Sequence, residues 1–258
     1  MTSLTARPRR PRPWLRATGV LLLLALAFTL GLLWPTLHRP ALKLGQDAAY
    51  PDARATTRWS EQDGGVIDIR PVGTPATRLL VLYPGGLVRP QAYEWLGTAL
   101  APWGVQTVIV RFPLDLAVTG IGRADSVIRH YAQGRPVYLA GHSLGGAMAA
   151  QYLSSHPGTV QGLILMGAYP AGNVTLSGQK TLRVLDLMGE HDTVADPADV
   201  KDGLTRLPAG TRLVTVRGSV HAFFGRYGPQ NGDGVPTVTR ATAETQIVQN
   251  IRDFITRR

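Results

Sequence analysis

Residues 141–145 read Gly-His-Ser-Leu-Gly, and this pentapeptide constrains the fold more than any other stretch of the chain. An apolar run at 136–140, typical of a buried strand, precedes it, and small helix-forming residues follow it. A serine on a tight strand-to-helix turn adopts strained dihedral angles, and Gly141 and Gly145 remove the side chains that would collide there. The pattern therefore predicts a nucleophile elbow that lifts the Ser143 hydroxyl clear of a sheet, above the N-terminus of a helix. The alternative is a glycine-rich turn without chemistry.

Charge and composition limit the classes of function. The chain has 258 residues and a formal net charge of +10, but residues 1–43 hold seven of its 27 basic residues and none of its 17 acidic ones. The rest of the chain is nearly balanced, with 20 basic and 17 acidic residues, so we expect no nucleic-acid partner. The chain has no cysteine, which excludes disulfides, thiolate metal ligands and a cysteine nucleophile.

The N-terminal region predicts export from the cytoplasm. Residues 1–16 form a basic, proline-rich leader, and 17–34 are eighteen residues without a charge. A helix of that length, at about 1.5 Å per residue, nearly spans a hydrocarbon core of about 30 Å. We predict an uncleaved transmembrane signal anchor, because the apolar run exceeds an ordinary signal-peptide core and no small-x-small cleavage site follows; a cleaved signal peptide stays open.

The charge distribution around this segment predicts its orientation. Five arginines precede it, so the leader is expected to stay in the cytoplasm. A linker at 35–54 would then carry the body, residues 55–258, outside the cytoplasm. The predicted localisation is the cell membrane with a single pass, and a secreted or periplasmic protein is the alternative.

The body alternates short strands with helices. Apolar or alternating runs predict strands at 58–60, 66–70, 78–83, 105–110, 137–140, 163–168, 182–188 and 213–217. Helices are predicted at 90–103, 121–133, 146–155, 197–207 and 242–255. The alternation predicts an α/β fold with a mostly parallel, doubly wound sheet covered on both faces. Residues 169–180 read as a loop too short for a folded lid, so little or no cap domain is expected.

An activated serine needs a base, and the base needs an acid that orients it. Among the six histidines His221 fits best, because it follows the last predicted strand, and active-site residues collect at the carboxyl ends of strands in open α/β sheets. Asp192 follows the preceding strand at the same edge, so Ser143, Asp192 and His221 are the predicted catalytic residues. Three other carboxylates remain rivals for the acid: Asp186, Glu190 and Asp196.

Two backbone N–H groups are candidates for an oxyanion hole. The Leu144 N–H follows the nucleophile at the start of a helix. The second donor should come from the loop after the strand at 78–83, which reads Pro-Gly-Gly-Leu at 84–87. We predict Gly86 N–H as that donor, with Leu87 as its close rival.

These features together resemble the α/β-hydrolase superfamily over about residues 60–258. More narrowly, the chain resembles the bacterial α/β-hydrolase fold-5 group, which is loosely related to dienelactone hydrolases. The matching segments are 83–86, 113–118, 141–146 and 221–234. Phe223 and Val220 stand where members often show glutamine and asparagine, and dienelactone hydrolases proper use a cysteine that this chain lacks. The resemblance implies an α/β-hydrolase fold and a serine hydrolase whose substrate is poorly defined.

The leading functional prediction is a serine hydrolase that cleaves a small carboxylic ester without a metal or an organic cofactor. Three aromatic residues shortly after the predicted base are expected to bind substrate: Phe223, Phe224 and Tyr227. An acyltransferase would use the same three catalytic residues, and a non-catalytic envelope binding protein on a hydrolase scaffold is the remaining alternative. Without a cap, the site should be open and suited to short, soluble esters.

Overall fold

The computed structural model describes residues 19–20, 22–31, 41–45, 47–49 and 52–256. The chain divides into two compact units, Met1–Pro40 and Ala41–Arg258. The described residues of the first unit are helical, and no helix in the described parts of the chain is both long and apolar enough to cross a membrane. Parts of the predicted N-terminal segments fall outside the described residues, namely 1–16 of the leader and 17–18, 21 and 32–34 of the anchor.

An eight-stranded sheet forms the centre of the second unit. In chain order its strands are β1 (Ala55–Ser60), β2 (Val66–Pro71), β3 (Arg78–Tyr83), β4 (Val105–Val110), β5 (Val137–His142), β6 (Gly162–Met166), β7 (Arg183–Gly189) and β8 (Arg212–Val216). They lie side by side in the order β1-β2-β4-β3-β5-β6-β7-β8. Pairing is antiparallel from β1 through β2 to β4 and parallel across the rest of the sheet. The predicted mostly parallel sheet is confirmed.

Helices lie between the strands as the alternation predicted. In the described part of the second unit they are α1 (Glu94–Leu100), α2 (Arg123–Tyr131), α3 (Leu144–Ser155), α4 (Pro197–Gly203) and α5 (Arg240–Thr256). The single helix predicted at 90–103 is instead divided, because short 3-10 turns flank α1 on both sides. Pro102 cannot donate to a helical hydrogen bond, and Gly104 ends the segment in the left-handed conformation with φ 72°.

Alternating side chains of the central strands divide the core into two layers. Leu79 and Val81 of β3 pack in the layer that also contains residues of α2 and α3. Leu80 and Leu82 pack in the opposite layer, with residues of α1 and α5. Every residue of β4 and β5 is buried, as expected for strands covered on both faces. This burial fixes the carboxyl end of β5, where the elbow begins.

The segment before β1 packs on the body more extensively than a linker would. Leu42 N–H donates to the Leu87 carbonyl oxygen at 2.7 Å, and Gly45 N–H donates to the Arg226 carbonyl oxygen at 2.9 Å. The Leu42 side chain also packs against the core layer formed by α1 and α5. Residues 41–45 therefore belong structurally to the second unit, although the sequence placed them within the predicted linker.

One carboxyl group is buried in the sheet without a partner. Asp186, in the middle of β7, is 0 % exposed, and neither of its side-chain oxygens has a hydrogen-bond partner among the described residues. Burial raises the pKa of the Asp186 carboxyl well above its usual range, because the charged form is poorly solvated there. The native state therefore retains a proton that the unfolded chain releases as the pH rises above about 4.

We expect Asp186→Asn to gain stability relative to wild type as the pH rises. Asparagine has a similar shape and cannot ionise, so it abolishes the difference in proton binding between the folded and unfolded states. Between the unfolded-state pKa and the raised native pKa, the difference in unfolding free energy should grow by about 1.4 kcal/mol per pH unit. Urea unfolding at pH 5, 6 and 7 measures it, with the exposed-site variant Asp202→Asn as the control. A difference that stays constant with pH contradicts the assignment.

Candidate active site

Ser143 lies on the turn between β5 and α3 and has φ 52° and ψ −125°, an unfavourable conformation for a residue with a side chain. A Cβ atom on Gly141 would lie 2.5 Å from the backbone of Gly145, and one on Gly145 would lie 2.3 Å from the Pro84 carbonyl oxygen. Only glycine therefore fits at both positions. Ser143 N–H donates to the Met166 carbonyl oxygen at 3.0 Å, which ties the turn to β6. The strand-turn-helix context predicted for Ser143 is present.

Asp192 and His221 form a buried pair beside this turn. His221 Nδ1 lies 2.8 Å from Asp192 Oδ2, and the two side chains are 1 % and 0 % exposed. The other carboxylate oxygen, Asp192 Oδ1, accepts hydrogen bonds from Val194 N–H at 2.9 Å and Ala195 N–H at 2.7 Å. The carboxylate is therefore held by backbone donors on one side and faces the imidazole with the other.

A second carboxylate orders the backbone around the histidine. Asp233 Oδ1 accepts a hydrogen bond from His221 N–H at 3.0 Å, and Asp233 Oδ2 accepts one from Ala222 N–H at 2.8 Å. The side chain thus binds two consecutive N–H groups at the start of a short 3-10 turn, His221–Phe224. The loop that carries His221 is fixed by Asp233 as well as by the Asp192 contact.

Gly167, directly after β6, lies between Ser143 and the Asp192–His221 pair. A Cβ atom at this position would lie 3.0 Å from Asp192 Oδ2 and 3.1 Å from His221 Nδ1. Gly167 also lines the same cavity as Ser143. The hydrogen bond of the His221 ring in the described residues is to Asp192 and not to Ser143. Serine–histidine bonds often shorten only when substrate is bound.

The two predicted oxyanion donors lie next to each other. A Cβ atom on Gly86 would lie 3.2 Å from Leu144 Cδ2, so the loop after β3 touches the start of α3. The rival donor, the Leu87 N–H, already donates a hydrogen bond to the Asp115 carbonyl oxygen, with an N···O distance of 2.8 Å. Among the backbone hydrogen bonds of the described residues, the N–H groups of Gly86 and Leu144 have no protein acceptor. Gly86 therefore remains the candidate from this loop, and Leu87 does not.

A comparison with protein-family models matches residues 79–245 to the family described as "Alpha/beta hydrolase family". The chain belongs to the α/β-hydrolase family. The matched region begins with β3 and ends within α5, so it contains the elbow, the Asp192–His221 pair and the loop of Gly86. Among the curated proteins, none matches the chain.

Solved structures share the α/β-hydrolase fold at low sequence identity. A dienelactone hydrolase from Anabaena variabilis is 19% identical with a TM-score of 0.58, and the match covers 78% of this chain and 97% of that one. Est1E from Butyrivibrio proteoclasticus is 13% identical with a TM-score of 0.58, covering 78% and 99%. A predicted CIB-like hydrolase from Thermoplasma acidophilum is 18% identical with a TM-score of 0.56, covering 78% and 97%.

The three rival carboxylates of this α/β-hydrolase have other surroundings. Glu190 Oε2 accepts a hydrogen bond from Gly218 N–H at 2.7 Å, and Asp196 caps α4 by accepting one from Ala198 N–H at 2.7 Å. Asp186 is buried in β7 without a partner among the described residues. Of the four candidates, Asp192 is the one bonded to His221.

A cavity of about 310 Å³ opens beside Ser143. Its walls combine the start of α3 with the loops after β6 and β7, and it is lined by Ser143, Leu144, Ala147, Gly167, Ala168, Tyr169, Ala171, Val194 and Ala195. None of these described lining residues carries a charged side chain. The loop at 169–180 contributes two of these residues and contains no helix, which agrees with the expected absence of a cap there.

The predicted substrate-binding aromatic residues do not line this cavity. Phe224 is 0 % exposed and Tyr227 is 1 % exposed, and both pack in the core layer with α1 and α5. The 3-10 turn after His221 directs both rings toward the core, and their role in binding substrate stays a prediction. Phe223 is half-buried beneath the Arg240 guanidinium, whose carbon lies 5.2 Å from the ring centroid.

Sequence reasoning missed two residues that contact the site. Asp233 binds the backbone of His221, but no local pattern distinguishes it from an ordinary loop aspartate. Tyr93 lies in the 3-10 turn before α1, and its hydroxyl bonds to both Gly85 and His142. His142, which directly precedes Ser143, is fully buried as well. Within the described residues, no group of three His, Cys, Asp or Glu side chains is placed to hold a metal ion.

Proposed function

We propose that this protein is a serine hydrolase that cleaves carboxylic esters through an acyl-enzyme. The observation that carries the proposal is the buried Asp192–His221 hydrogen bond next to a strained Ser143 that faces a cavity. A nucleophile, a base and an orienting acid in this arrangement are the requirements of acyl transfer to serine.

In the proposed mechanism the Ser143 hydroxyl attacks the ester carbonyl while His221 Nε2 accepts its proton. Asp192 holds the proton of His221 on Nδ1, so that Nε2 is free to act as the base. The Leu144 and Gly86 N–H groups stabilise the oxyanion of the tetrahedral intermediate. His221 then protonates the leaving alkoxide, and a water molecule hydrolyses the acyl-enzyme by the reverse steps. None of these steps requires a metal or an organic cofactor.

The cavity supports a substrate with a small, uncharged, apolar acyl group. Its lining side chains are mostly alanine, leucine and valine, so a charged acyl chain would lose its hydration there without gaining a partner. Its volume of about 310 Å³ is at the lower end of the range of small-molecule sites, roughly 300–1,000 Å³. The similar solved structures support the fold only, and the substrate class rests on the cavity.

We expect p-nitrophenyl esters of two to six carbons to be hydrolysed with much higher kcat/KM than esters of twelve or more. A longer chain must leave an apolar part in water or against the mouth of the cavity, and each methylene that is not buried forgoes about 0.8 kcal/mol. Ala171→Phe should narrow the cavity and shift the optimum to shorter chains, whereas Val72→Phe adds a ring at the far end of β2 and should not. A rate that rises steadily to palmitate, or jumps when tributyrin forms an emulsion, contradicts the small open site.

We also propose that the hydrolase domain is exported and tethered to the membrane by the N-terminal segment. The eighteen uncharged residues at 17–34, after five arginines, support this orientation. Large apolar side chains in the described part of the segment are mostly exposed, including Leu22 at 70%, Leu23 at 67% and Phe28 at 67%. Such exposure suits a lipid environment better than water.

Alkaline phosphatase fused after Arg258 tests the export, since the enzyme folds only outside the cytoplasm. We expect an active fusion that sediments with membranes and resists extraction by high salt. An inactive fusion contradicts the orientation, and an active but soluble product contradicts the uncleaved anchor.

A further inference from the structure

A buried hydrogen-bonded chain connects the elbow to the loop that carries the second oxyanion donor. Tyr93 Oη lies 2.9 Å from the Gly85 nitrogen and 2.8 Å from His142 Nδ1. Tyr93 and His142 are both 0 % exposed. His142 directly precedes Ser143, and Gly85 directly precedes Gly86, so the chain joins the neighbours of two groups that act on the same carbonyl.

The direction of these hydrogen bonds follows from the available protons. Gly85 N–H can only donate, so the Tyr93 oxygen accepts from it. Burial raises the pKa of the Tyr93 hydroxyl, which therefore keeps its proton and donates it to His142 Nδ1. His142 thus carries its own proton on Nε2, the ring nitrogen that remains to face the His221 backbone.

His142 keeps this acceptor because it stays neutral. Burial lowers the pKa of His142 well below its usual range, and a charge on His221 would lower it further. The His142 and His221 ring centroids are 4.6 Å apart. When His221 has accepted the serine proton, a second proton on His142 would place two positively charged rings side by side, which disfavours it. His142 Nδ1 is therefore available to Tyr93 while His221 carries the proton of Ser143.

The loop after β3 is fixed on both sides of the free donor. The Gly85 N–H is bound by Tyr93, and the Leu87 N–H is bound by the Asp115 carbonyl oxygen. Gly85 packs closely against the His142 ring, since a Cβ atom at this position would lie only 2.8 Å from His142 Nδ1. The loop therefore has little space to shift toward His142. Gly86 lies between these two anchors, and a Cβ atom on it would lie 3.2 Å from Leu144 Cδ2.

We propose that Tyr93 and His142 are positioning residues that align the Gly86 N–H with the oxyanion. This inference rests on the proposed serine hydrolase function. Tyr93 acts on Gly85, and His142 acts by orienting the Tyr93 hydroxyl; neither contacts the reacting atoms. Their loss should therefore weaken stabilisation of the oxyanion more than substrate binding.

The test compares an oxygen ester with its sulfur analogue. Sulfur is larger and a weaker hydrogen-bond acceptor, so a thionoester gains less than an oxoester from two aligned N–H donors. The readout is the ratio of kcat/KM for p-nitrophenyl acetate to that for p-nitrophenyl thionoacetate. Both values come from one preparation, so any loss of folded enzyme cancels in the ratio.

Tyr93→Phe should lower the oxo-to-thiono ratio by about tenfold, mainly through kcat on the oxoester, because an intact but misaligned donor loses part of the 10²–10³ effect of deleting one. His142→Leu should act in the same way. His142→Asn should restore much of the ratio, because its side-chain oxygen can occupy the position of Nδ1. Tyr138→Phe is the matched control, since it removes a buried hydroxyl that donates to the Ile255 carbonyl oxygen at 3.2 Å.

A ratio in Tyr93→Phe equal to that of wild type and Tyr138→Phe overturns the inference, even if both rates fall. Hydrogen exchange gives a second readout that is independent of activity. Backbone N–H groups at 85–88 should exchange faster in Tyr93→Phe than in Tyr138→Phe, and equal exchange also overturns the inference. Failure of the proposed function is recognised separately, because Ser143→Ala would then hydrolyse the oxoester as fast as wild type.

Discussion

Ser143→Ala should reduce kcat on p-nitrophenyl acetate by about 10⁶ while the fold is retained, the size of effect typical for loss of a serine nucleophile. The variant removes one oxygen at the cavity and leaves the hydrogen bond from the residue 143 N–H to the Met166 carbonyl oxygen unchanged. Without that oxygen no acyl-enzyme forms, and only binding and the oxyanion donors act on direct attack by water.

Ser154→Ala is the matched control for this variant. Ser154 lies on α3, the helix that follows the elbow, and its hydroxyl donates to the Gln151 carbonyl oxygen at 2.7 Å on the surface. This control should keep wild-type activity and the same thermal unfolding midpoint within a few degrees. Ser143→Ala protein with normal circular dichroism and more than a tenth of the wild-type kcat would show that another group is the nucleophile.

Asp192→Asn should lower kcat by about 10⁴, as expected when the base is held in the wrong tautomer. The contacts of the carboxylate predict how this happens. Val194 N–H and Ala195 N–H both point at Oδ1, so the amide oxygen of asparagine must take that place. Its NH₂ group then replaces Oδ2 and donates to His221 Nδ1. The imidazole proton is forced onto Nε2, which can no longer accept the proton of Ser143.

Asp196→Asn controls for the chemical change itself. Asp196 caps α4 by accepting from Ala198 N–H, and it makes no contact with His221 in the described structure. Asparagine is as good a helix cap as aspartate, so stability and activity should stay close to those of wild type. If Asp192→Asn loses no more activity than Asp196→Asn, Asp192 does not orient the base.

The sequence predicts the fold well because its signals are local. The buried apolar runs of β3 to β7 each predict a strand, and Gly141 and Gly145 have one steric role at the elbow that no other residue can fill. The predicted positions of Asp192 and His221 follow from the same rule, since both come directly after strands and parallel strands end at one edge. Their contact at 2.8 Å is a consequence of the sheet order.

Other features depend on contacts that no local pattern contains. The inward packing of Phe224 and Tyr227 depends on the direction of the turn after His221, and an aromatic residue near an active site can equally well face the core. Tyr93 and His142 are 49 positions apart in the chain, and a tyrosine before a helix gives no sign that its hydroxyl will reach the elbow. Tertiary packing determines both outcomes.

The packing of residues 41–45 has the same kind of origin. Their composition resembles that of a linker, and only the backbone hydrogen bonds to Leu87 and Arg226 show that they belong to the hydrolase domain. A soluble version of the enzyme should therefore begin at or before residue 41, so that the Leu42 contact beside the oxyanion loop is retained.

The most direct test of the central claim is covalent labelling of the nucleophile. Purified wild-type protein is treated with a fluorophosphonate, its intact mass is measured, and the modified residue is located by tandem mass spectrometry. The account predicts a single adduct on Ser143, its absence in Ser143→Ala, and much slower labelling in Asp192→Asn. An adduct on a different residue, or equal labelling of Ser143→Ala and wild type, would contradict it.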